Sequence, residues 1–211
     1  QQVMELYQAR KYAEAIPPAQ RLLAIVEKAF GPDHPNVAAS LNNLAGLYDE
    51  TGQYAKAEPL YLRSLAIVEK MLGPAHLDVA ISLFNLAVLY GKTGQYAKAE
   101  PLYQRSLTIR EKALGPNHPD VAIVRNNLAA QYQKTGQYTK AEPLYQRSLA
   151  IKEKALGPDR PDVATSLSNL AGLYKETASM RRPSRFSSAA WPSGKRRSVP
   201  TIPTWQRAST T

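Results

Sequence analysis

The sequence predicts an all-α fold in which antiparallel helix pairs stack into a solenoid. The chain repeats itself every 42 residues. Within each period, apolar residues recur at three- and four-residue steps, which is the spacing of an amphipathic helix. A unit of this size cannot bury its apolar face alone, so several units must stack. The period is marked by the dipeptides Gly31-Pro32, Gly73-Pro74, Gly115-Pro116 and Gly157-Pro158.

The first helix of a unit is predicted over residues 35–50. Val37, Leu41 and Leu44 share its apolar face. Thr51-Gly52-Gln53 ends this helix, because glycine tolerates the left-handed conformation that a helix end requires. We expect equivalent first helices near 77–92, 119–134 and 161–176, and a partial one over 1–8. Because the chain opens within a repeat and without Met, we expect it to be part of a longer array.

The second helix of a unit is predicted from Tyr54, with Ala57 and Tyr61 facing inward. Pro59 lies early in this helix, where most backbone amides lack helical partners. We therefore expect each second helix to begin late or to bend slightly. Glycine past the helix end and proline after it close the unit. The second helices are expected near 12–30, 54–71, 96–113 and 138–155.

These units carry a family resemblance. Leu44-Ala45-x-x-Tyr48, followed by Gly52, Ala57 and Tyr61, resembles the tetratricopeptide signature. The usual unit has 34 residues, and the longer unit with a Gly-Pro connector resembles the kinesin-light-chain type. The resemblance covers 1–177 and implies a right-handed superhelical solenoid that binds an extended peptide or protein segment on its concave face. The third unit departs from it at Arg125 and Gln131, where sibling units have Leu, so we expect a polar notch there.

Residues 178–211 break the repeat. They hold seven Lys/Arg and no Asp or Glu, which is typical of a disordered basic tail. A coding argument explains them better. Deleting one G from the glycine codon of an expected Thr-Gly-Gln-Tyr gives the Thr-Ala-Ser-Met of 177–180, and reading the remainder one base away restores a full repeat. We predict a repeat array over 1–177 and a frameshifted tail over 178–211 that was not selected for a function.

The charge balance changes once the tail is set aside. The whole chain has a net charge of +10, whereas residues 1–177 hold 20 Lys/Arg against 17 Asp/Glu. A body so nearly balanced lacks the basic surface typical of nucleic-acid binding, so we expect no nucleic-acid partner. The absence of Cys excludes disulfides and thiolate chemistry and fits a reducing compartment. No apolar run approaches the ~18–20 residues of a membrane span, so we expect a cytoplasmic protein without a membrane partner.

Three histidines, one per unit, are the obvious candidates for a metal site. His34, His76 and His118 occupy equivalent positions, and Arg160 takes the fourth. Equivalent residues on stacked helices lie about 8–10 Å apart, whereas zinc ligands lie about 2 Å from the ion. We therefore predict that these residues pack or cap helices, and that no metal is bound. No Ser-His-Asp order, phosphate loop or Cys-His pair occurs, so we expect no enzyme activity and no cofactor.

An asparagine series is the strongest functional candidate. Asn43, Asn85, Asn127 and Asn169 share one first-helix position, although Asn is a poor choice within a helix. One interpretation is a structural bond from each Asn to a neighbouring helix. The other is a ladder of amides that pairs with the main chain of a peptide. The family resemblance favours the second, since Asn at this position lines the peptide groove in similar domains.

The positions beside this series vary between units, which suits a constant grip on the peptide backbone with variable selection of side chains. We expect Phe84, Val88 and Arg125, with the helix-end charges Lys92 and Lys134, to select ligand side chains. The predicted groove residues are Asn43, Asn85, Asn127, Asn169, Asn42, Phe84, Val88, Asn126, Lys92 and Lys134.

A structural spacer or a self-assembling repeat array is the alternative function. The helix over 161–176 lacks a following partner helix, so its apolar face is expected to be partly exposed and open to self-association. The residues concerned are Leu167, Leu170, Leu173 and Tyr174.

Overall fold

A computed structural model describes residues 2–157 and 159–180. The predicted frameshifted tail lies outside these residues from 181 onward. The described chain forms nine α-helices and no strand, in agreement with the all-α prediction. The helices are α1 (Gln2–Gln8), α2 (Tyr12–Phe30), α3 (Pro35–Glu50), α4 (Tyr54–Leu72), α5 (Leu77–Lys92), α6 (Tyr96–Leu114), α7 (Pro119–Lys134), α8 (Tyr138–Leu156) and α9 (Pro161–Met180).

The helices stack as consecutive pairs. Helix α3 packs on α4, α5 on α6 and α7 on α8, and the second helix of each pair also contacts the first helix of the next. The first helices α3, α5, α7 and α9 touch one another in series. This nearest-neighbour arrangement is that of a solenoid, and it confirms the predicted architecture.

The core is continuous through the stack. Its larger cluster extends from Ala15 on α2 to Leu173 on α9, so each pair shares apolar contacts with the next. Ala57, Ala99 and Ala141 are completely buried, and such small side chains allow the helices to approach closely. A second cluster, around Leu41 and Leu83, fills the space between α3, α4, α5 and α6.

The three histidines cap first helices, as the sequence predicted. In each case Nδ1 accepts a hydrogen bond from the backbone N–H two residues later: Asn36 at 3.1 Å from His34, Asp78 at 3.2 Å from His76, and Asp120 at 3.1 Å from His118. These bonds satisfy one of the amide donors that a helix start leaves without a partner.

Buried side chains add polar links that the sequence did not single out. The hydroxyl of Ser106 on α6 donates to the Ala80 carbonyl on α5 at 2.7 Å, and Ser64 and Ser148 make the equivalent bond. Between pairs, the Tyr90 hydroxyl donates to Glu58 at 2.9 Å. Equivalent bonds join Tyr132 to Glu100 and Tyr174 to Glu142.

Two predicted boundaries were wrong. The second helices do not begin late: α4 starts at Tyr54, and the Gln53 carbonyl already accepts from Ala57 at 3.2 Å, so the first turn forms before Pro59. Helix α9 runs to Met180, past the expected end at 176. Sibling helices stop at a glycine with positive φ, such as Gly52 at +73°, whereas Ala178 stands at that position and favours continued helix.

Candidate functional site

A groove of about 590 Å³ lies on the first helices of three successive units, α1, α3 and α5. Six of the ten predicted site residues line it: Asn42, Asn43, Phe84, Asn85, Val88 and Lys92. The partial unit at the N-terminus contributes Val3, Met4 and Tyr7, which the sequence reasoning had not included. The groove is therefore a shared feature of three units, not of one repeat.

The asparagine amides pair across neighbouring helices. Asn85 Nδ2 on α5 donates to Asn42 Oδ1 on α3 at 3.1 Å. Asn169 donates to Asn126 at the same distance. Each bond uses one of the two amide hydrogens of the donor, which leaves the second hydrogen and the amide oxygen available for another partner. The structural interpretation thus applies to Asn85 and Asn169, and their contact with a ligand stays a prediction.

Asn127 behaves differently because its neighbour is an aromatic residue. Phe84 occupies the position where Asn42 accepts the bond from Asn85, so Asn127 donates instead to the Ile123 carbonyl of its own helix at 2.9 Å. The amide series is consequently interrupted beside Phe84. The sequence showed the repeated Asn but gave no sign of this alternation in partners.

Phe84 is held in place on both sides of the core boundary. Its ring packs edge-to-face against Tyr103, with 5.9 Å between ring centroids. The guanidinium carbon of Arg110 lies 5.5 Å from the Phe84 centroid, within the range of a cation–π contact. Phe84 is half-buried and lines the groove with Val88, so the two form a fixed apolar surface beside the amides.

One end of the groove is acidic. Lys92 Nζ lies 2.9 Å from Asp49 Oδ2 and 3.5 Å from Glu50 Oε1. Burial would lower the pKa of Lys92, but the hydrogen bond to Asp49 and the two carboxylate charges outweigh it and raise that pKa. Lys92 is thus fixed by protein carboxylates. Two acids face one lysine, which leaves one negative charge in excess.

Asp49 and Tyr61 are the most buried polar groups at this end. Asp49 is 7% exposed, and its Oδ1 has no hydrogen-bond partner among the described residues. Burial raises the pKa of the Tyr61 phenol well above its usual range, and the charge of Asp49 adds to the effect. Sequence reasoning had taken Asp49 for a solvated surface residue. The signal that could have identified it is the variation of its position, which holds Gly91, Gln133 and Lys175 in the other units.

The remaining predicted residues lie elsewhere. Asn126, Asn127, Asn169 and the exposed Lys134 belong to α7 and α9 and do not line this groove. Their assignment to a binding surface stays a prediction.

Arg125 does not join Phe84 and Val88, contrary to the sequence-based expectation. It is only 5% exposed, and its guanidinium bonds Glu111 at 2.6 Å and the Pro116 carbonyl at 3.2 Å. Gln131 is equally buried and donates to the Tyr96 carbonyl at 3.0 Å. The expected polar notch is therefore filled, because both side chains find acceptors inside the protein.

Neither metal chemistry nor a membrane segment has support in the described part of the chain. Residues 2–157 and 159–180 contain no group of three His, Cys, Asp or Glu side chains placed to hold a metal ion. None of the helices α1–α9 is both long and apolar enough to cross a bilayer.

Comparison with protein families gives one result across the array. The family profile described as "Tetratricopeptide repeat" matches residues 5–70, 50–112, 78–130 and 120–180. Two curated relatives are Nephrocystin-3 of Xenopus laevis and of Xenopus tropicalis, each 56% identical over 36 residues. The match covers 17% of this chain and 3% of each relative.

Solved structures share the whole architecture. Nearly identical TPR-like repeats from a candidate kinesin light chain of Podosopora anserina, solved in two forms that differ by a point substitution, superpose with a TM-score of 0.72 at 29% identity. The alignment covers 84% of this chain and 84% of that one. BtubC (BKLC) from P. vanneervenii superposes with a TM-score of 0.73 at 23% identity, covering 92% of this chain and 85% of that one. The second likeness bears on the fold alone.

Proposed function

Because the chain belongs to the tetratricopeptide repeat family, whose repeats generally mediate protein–protein interaction, we propose that it binds an extended peptide or protein segment in the groove of α1, α3 and α5. The observation that carries this proposal is the convergence of six predicted residues on that one groove. Scaffolds of this family are generally not enzymes, and the proposed mechanism is non-covalent recognition.

The groove offers three kinds of contact to such a segment. Asn43 and the second amide hydrogen of Asn85 suit the carbonyls and amides of an extended backbone. Phe84 and Val88 suit an apolar side chain. The excess negative charge at Asp49 and Glu50 favours a basic side chain near Lys92.

A groove-blocking variant provides the direct test. A peptide array probed with the full chain identifies bound segments, and the tightest one is then measured against Val88→Glu. A glutamate at this position crowds the groove beside the carboxylates, so we expect at least about a tenfold loss of affinity, or ~1.4 kcal/mol. The matched control is Ala130→Glu, which alters the equivalent position of α7 outside the groove. Equal affinity of both variants would exclude the groove as the binding site.

Self-association is the second candidate, and the surface of α9 favours it. Leu167 is 48% exposed, whereas its equivalents Leu41 and Leu83 are fully buried. Tyr174 is also exposed, while Leu173 remains buried and Leu170 half-buried. Sedimentation over a range of protein concentrations tests this candidate. A concentration-dependent mass that Leu167→Lys abolishes supports a self-assembling array, and a constant monomer mass rules it out.

A further inference from the structure

A salt bridge recurs between successive second helices in the first part of the solenoid. Arg63 on α4 contacts Glu27 on α2 at 2.6 Å and donates to the Pro32 carbonyl at 3.3 Å. One unit later, Arg105 on α6 pairs with Glu69 and donates to the Pro74 carbonyl at 3.3 Å. Each arginine thus has one carboxylate and one connector carbonyl as partners.

The next unit breaks this pattern because Arg125 takes both acceptors. Arg125 pairs with Glu111, the equivalent of Glu69, and with the carbonyl of Pro116, the equivalent of Pro74. Arg147 is the equivalent of Arg105. It is exposed and makes no ion pair or hydrogen bond with residues 2–157 and 159–180. The substitution of Arg125 for the Leu of sibling units therefore removes the partners of Arg147.

A second cation loses its partner in the same place. Lys70 on α4 forms a salt bridge with Asp33 in the connector before its helix pair. The equivalent residues in the third unit are Lys154 and Asn117, and an amide cannot neutralise a lysine. The residues outside the described ranges hold no Asp or Glu, so no acidic side chain of this chain remains to be counted.

These residues line a pocket of about 420 Å³, termed here the α8 basic pocket. Its lining residues are Asn117, Arg125, Arg147, Ala150, Ile151, Lys154 and Ala155. Three cations face the single carboxylate of Glu111, which gives a local excess of two positive charges. The pocket shares no residue with the groove of α1, α3 and α5.

We propose that the α8 basic pocket binds a carboxylate side chain from an acidic segment of a partner protein. The precedent lies in the protein itself, since a glutamate carboxylate occupies the corresponding place beside Arg63 and beside Arg105. Arg147 presents a planar guanidinium suited to a carboxylate, and Lys154 adds a second positive charge. Arg125 is fixed by Glu111 and shapes the pocket wall.

Binding at this pocket is weak for one carboxylate and sensitive to salt. Exposed ion pairs contribute little singly, so a segment with several acidic residues is required for measurable affinity. Raising the ionic strength from about 0.05 M to about 0.3 M shortens the screening length below the spacing of the charges. We expect the affinity to fall at least about fivefold over that range.

The probe is a short capped peptide that alternates Glu and Gly, compared with its Gln counterpart on the full chain. Arginine Nε–Hε resonances report binding at individual guanidinium groups. We expect the Arg147 resonance to shift with the Glu peptide only. A comparable shift at Arg105, or a comparable shift with the Gln peptide, would overturn the proposal. At least tenfold tighter binding of a phosphoserine peptide would overturn the carboxylate assignment.

The decisive variant is Arg125→Leu, which introduces the residue that α3 and α5 carry at this position. Arg147 can then close onto Glu111, so we expect at least about a fivefold loss of affinity and an Arg147 resonance resembling that of Arg105. Unchanged affinity once that resonance has moved would contradict the proposal. Arg105→Gln is the matched control and leaves binding at the pocket intact. Val88→Glu leaves this pocket intact as well, so failure of either site is seen separately.

Discussion

A single first-helix position sets the surroundings of each second-helix tyrosine. Gln133 holds this position in the third unit and accepts a hydrogen bond from the Tyr145 hydroxyl at 3.0 Å. In the second unit it is Gly91, whose missing Cβ would lie 3.8 Å from the Tyr103 hydroxyl. In the first unit it is Asp49, which binds Lys92. A constant scaffold therefore presents a different polar surface in every unit through one substitution.

Gly46 provides a test of how closely the groove depends on a small residue. It lies within α3 and lines the groove, and a Cβ there would meet the Tyr61 hydroxyl at 3.6 Å, an ordinary contact. We expect Gly46→Ala to raise the free energy of unfolding by about 0.5–1 kcal/mol, because alanine is the better helix former. The added methyl group should also reduce the affinity of a groove ligand several-fold.

Thermal unfolding and a peptide titration measure the two effects of Gly46→Ala. Gly172→Ala is the matched control, since it alters the equivalent position on α9, with a Cβ placed 3.8 Å from Gln133 Nε2. It should share the gain in stability without affecting the groove ligand. A loss of stability in Gly46→Ala would show that the helix is strained around Tyr61.

Tyr90 gives the solenoid an alkaline limit. Burial and the hydrogen bond to Glu58 raise the pKa of Tyr90 to about 12, against about 10 in an unfolded chain. Between those values the unfolded chain releases a proton that the folded protein retains, so stability falls as the pH rises through this window. Tyr90→Phe should cost about 0.5–1.5 kcal/mol at neutral pH and make the alkaline fall shallower.

Denaturant unfolding at pH 8 and pH 11 measures that slope. Tyr138→Phe is the control, because the Tyr138 hydroxyl bonds no carboxylate within the described ranges. An alkaline slope in Tyr90→Phe as steep as that of the parent protein would contradict the assignment.

The sequence identified the repeated Asn position, but the partners of each amide could not be predicted from it. Asn85 finds Asn42 one unit earlier, whereas Asn127 finds Phe84 there and turns to its own helix. Such pairing depends on two residues about 43 positions apart that meet only after stacking. Arg125 follows the same rule, since its acceptors Glu111 and Pro116 belong to the preceding helix and connector.

At the scale of the element, local signals predicted nearly every helix boundary. Glycine ends and histidine caps are short-range features, so α3, α5 and α7 were predicted with their observed bounds. The two errors have local causes as well. Pro59 was given too much weight against a first turn that forms before it, and the loss of a glycine at Ala178 was interpreted as the end of a repeat when it removed a stop.

The start of α9 lacks the histidine cap of its siblings. Arg160 occupies the position of His34, His76 and His118, and its carbonyl accepts from Val163 at 2.9 Å as in those helices. We expect Arg160→His to add an acceptor for the Asp162 amide and to stabilise α9 locally by about 0.5–2 kcal/mol. Slower amide exchange in the first turn of α9 measures the effect. Arg160→Ala supplies no acceptor and should show no gain, and equal exchange in both variants would exclude capping as the cause.

At the scale of the whole molecule, stability is a sum over neighbouring pairs. Central pairs such as α5 and α6 contact other helices on both sides, whereas α9 packs on α8 and touches α7. Ala171 is exposed on α9, while its equivalents Ala45 and Ala87 are fully buried. A solenoid of this kind transmits order from its centre outward, and its ends are held by fewer contacts.

The frameshift hypothesis for residues 178–211 is settled at the level of the gene. Sequencing the DNA across codons 176–180 should show a glycine codon that lacks one G, followed by codons that restore the repeat one base away. A reading frame with unrelated codons would rule the hypothesis out. Helix α9 already departs from its siblings at Ala178, the first residue that the deletion would change.

Hydrogen exchange tests the pairwise account directly. We expect protection to decrease from α5 and α6 toward α9, because Leu167 and Tyr174 lack the covering helix that buries their equivalents. Removing residues after Gly157 should then cost little stability, since only the contacts of α9 with α8 and α7 are lost. Restoring the reading frame should raise the melting temperature, because the recovered second helix covers α9. Protection of α9 equal to that of α5, in a monomer without residues 181–211, would show that this helix needs no partner and that stability does not follow neighbour contacts.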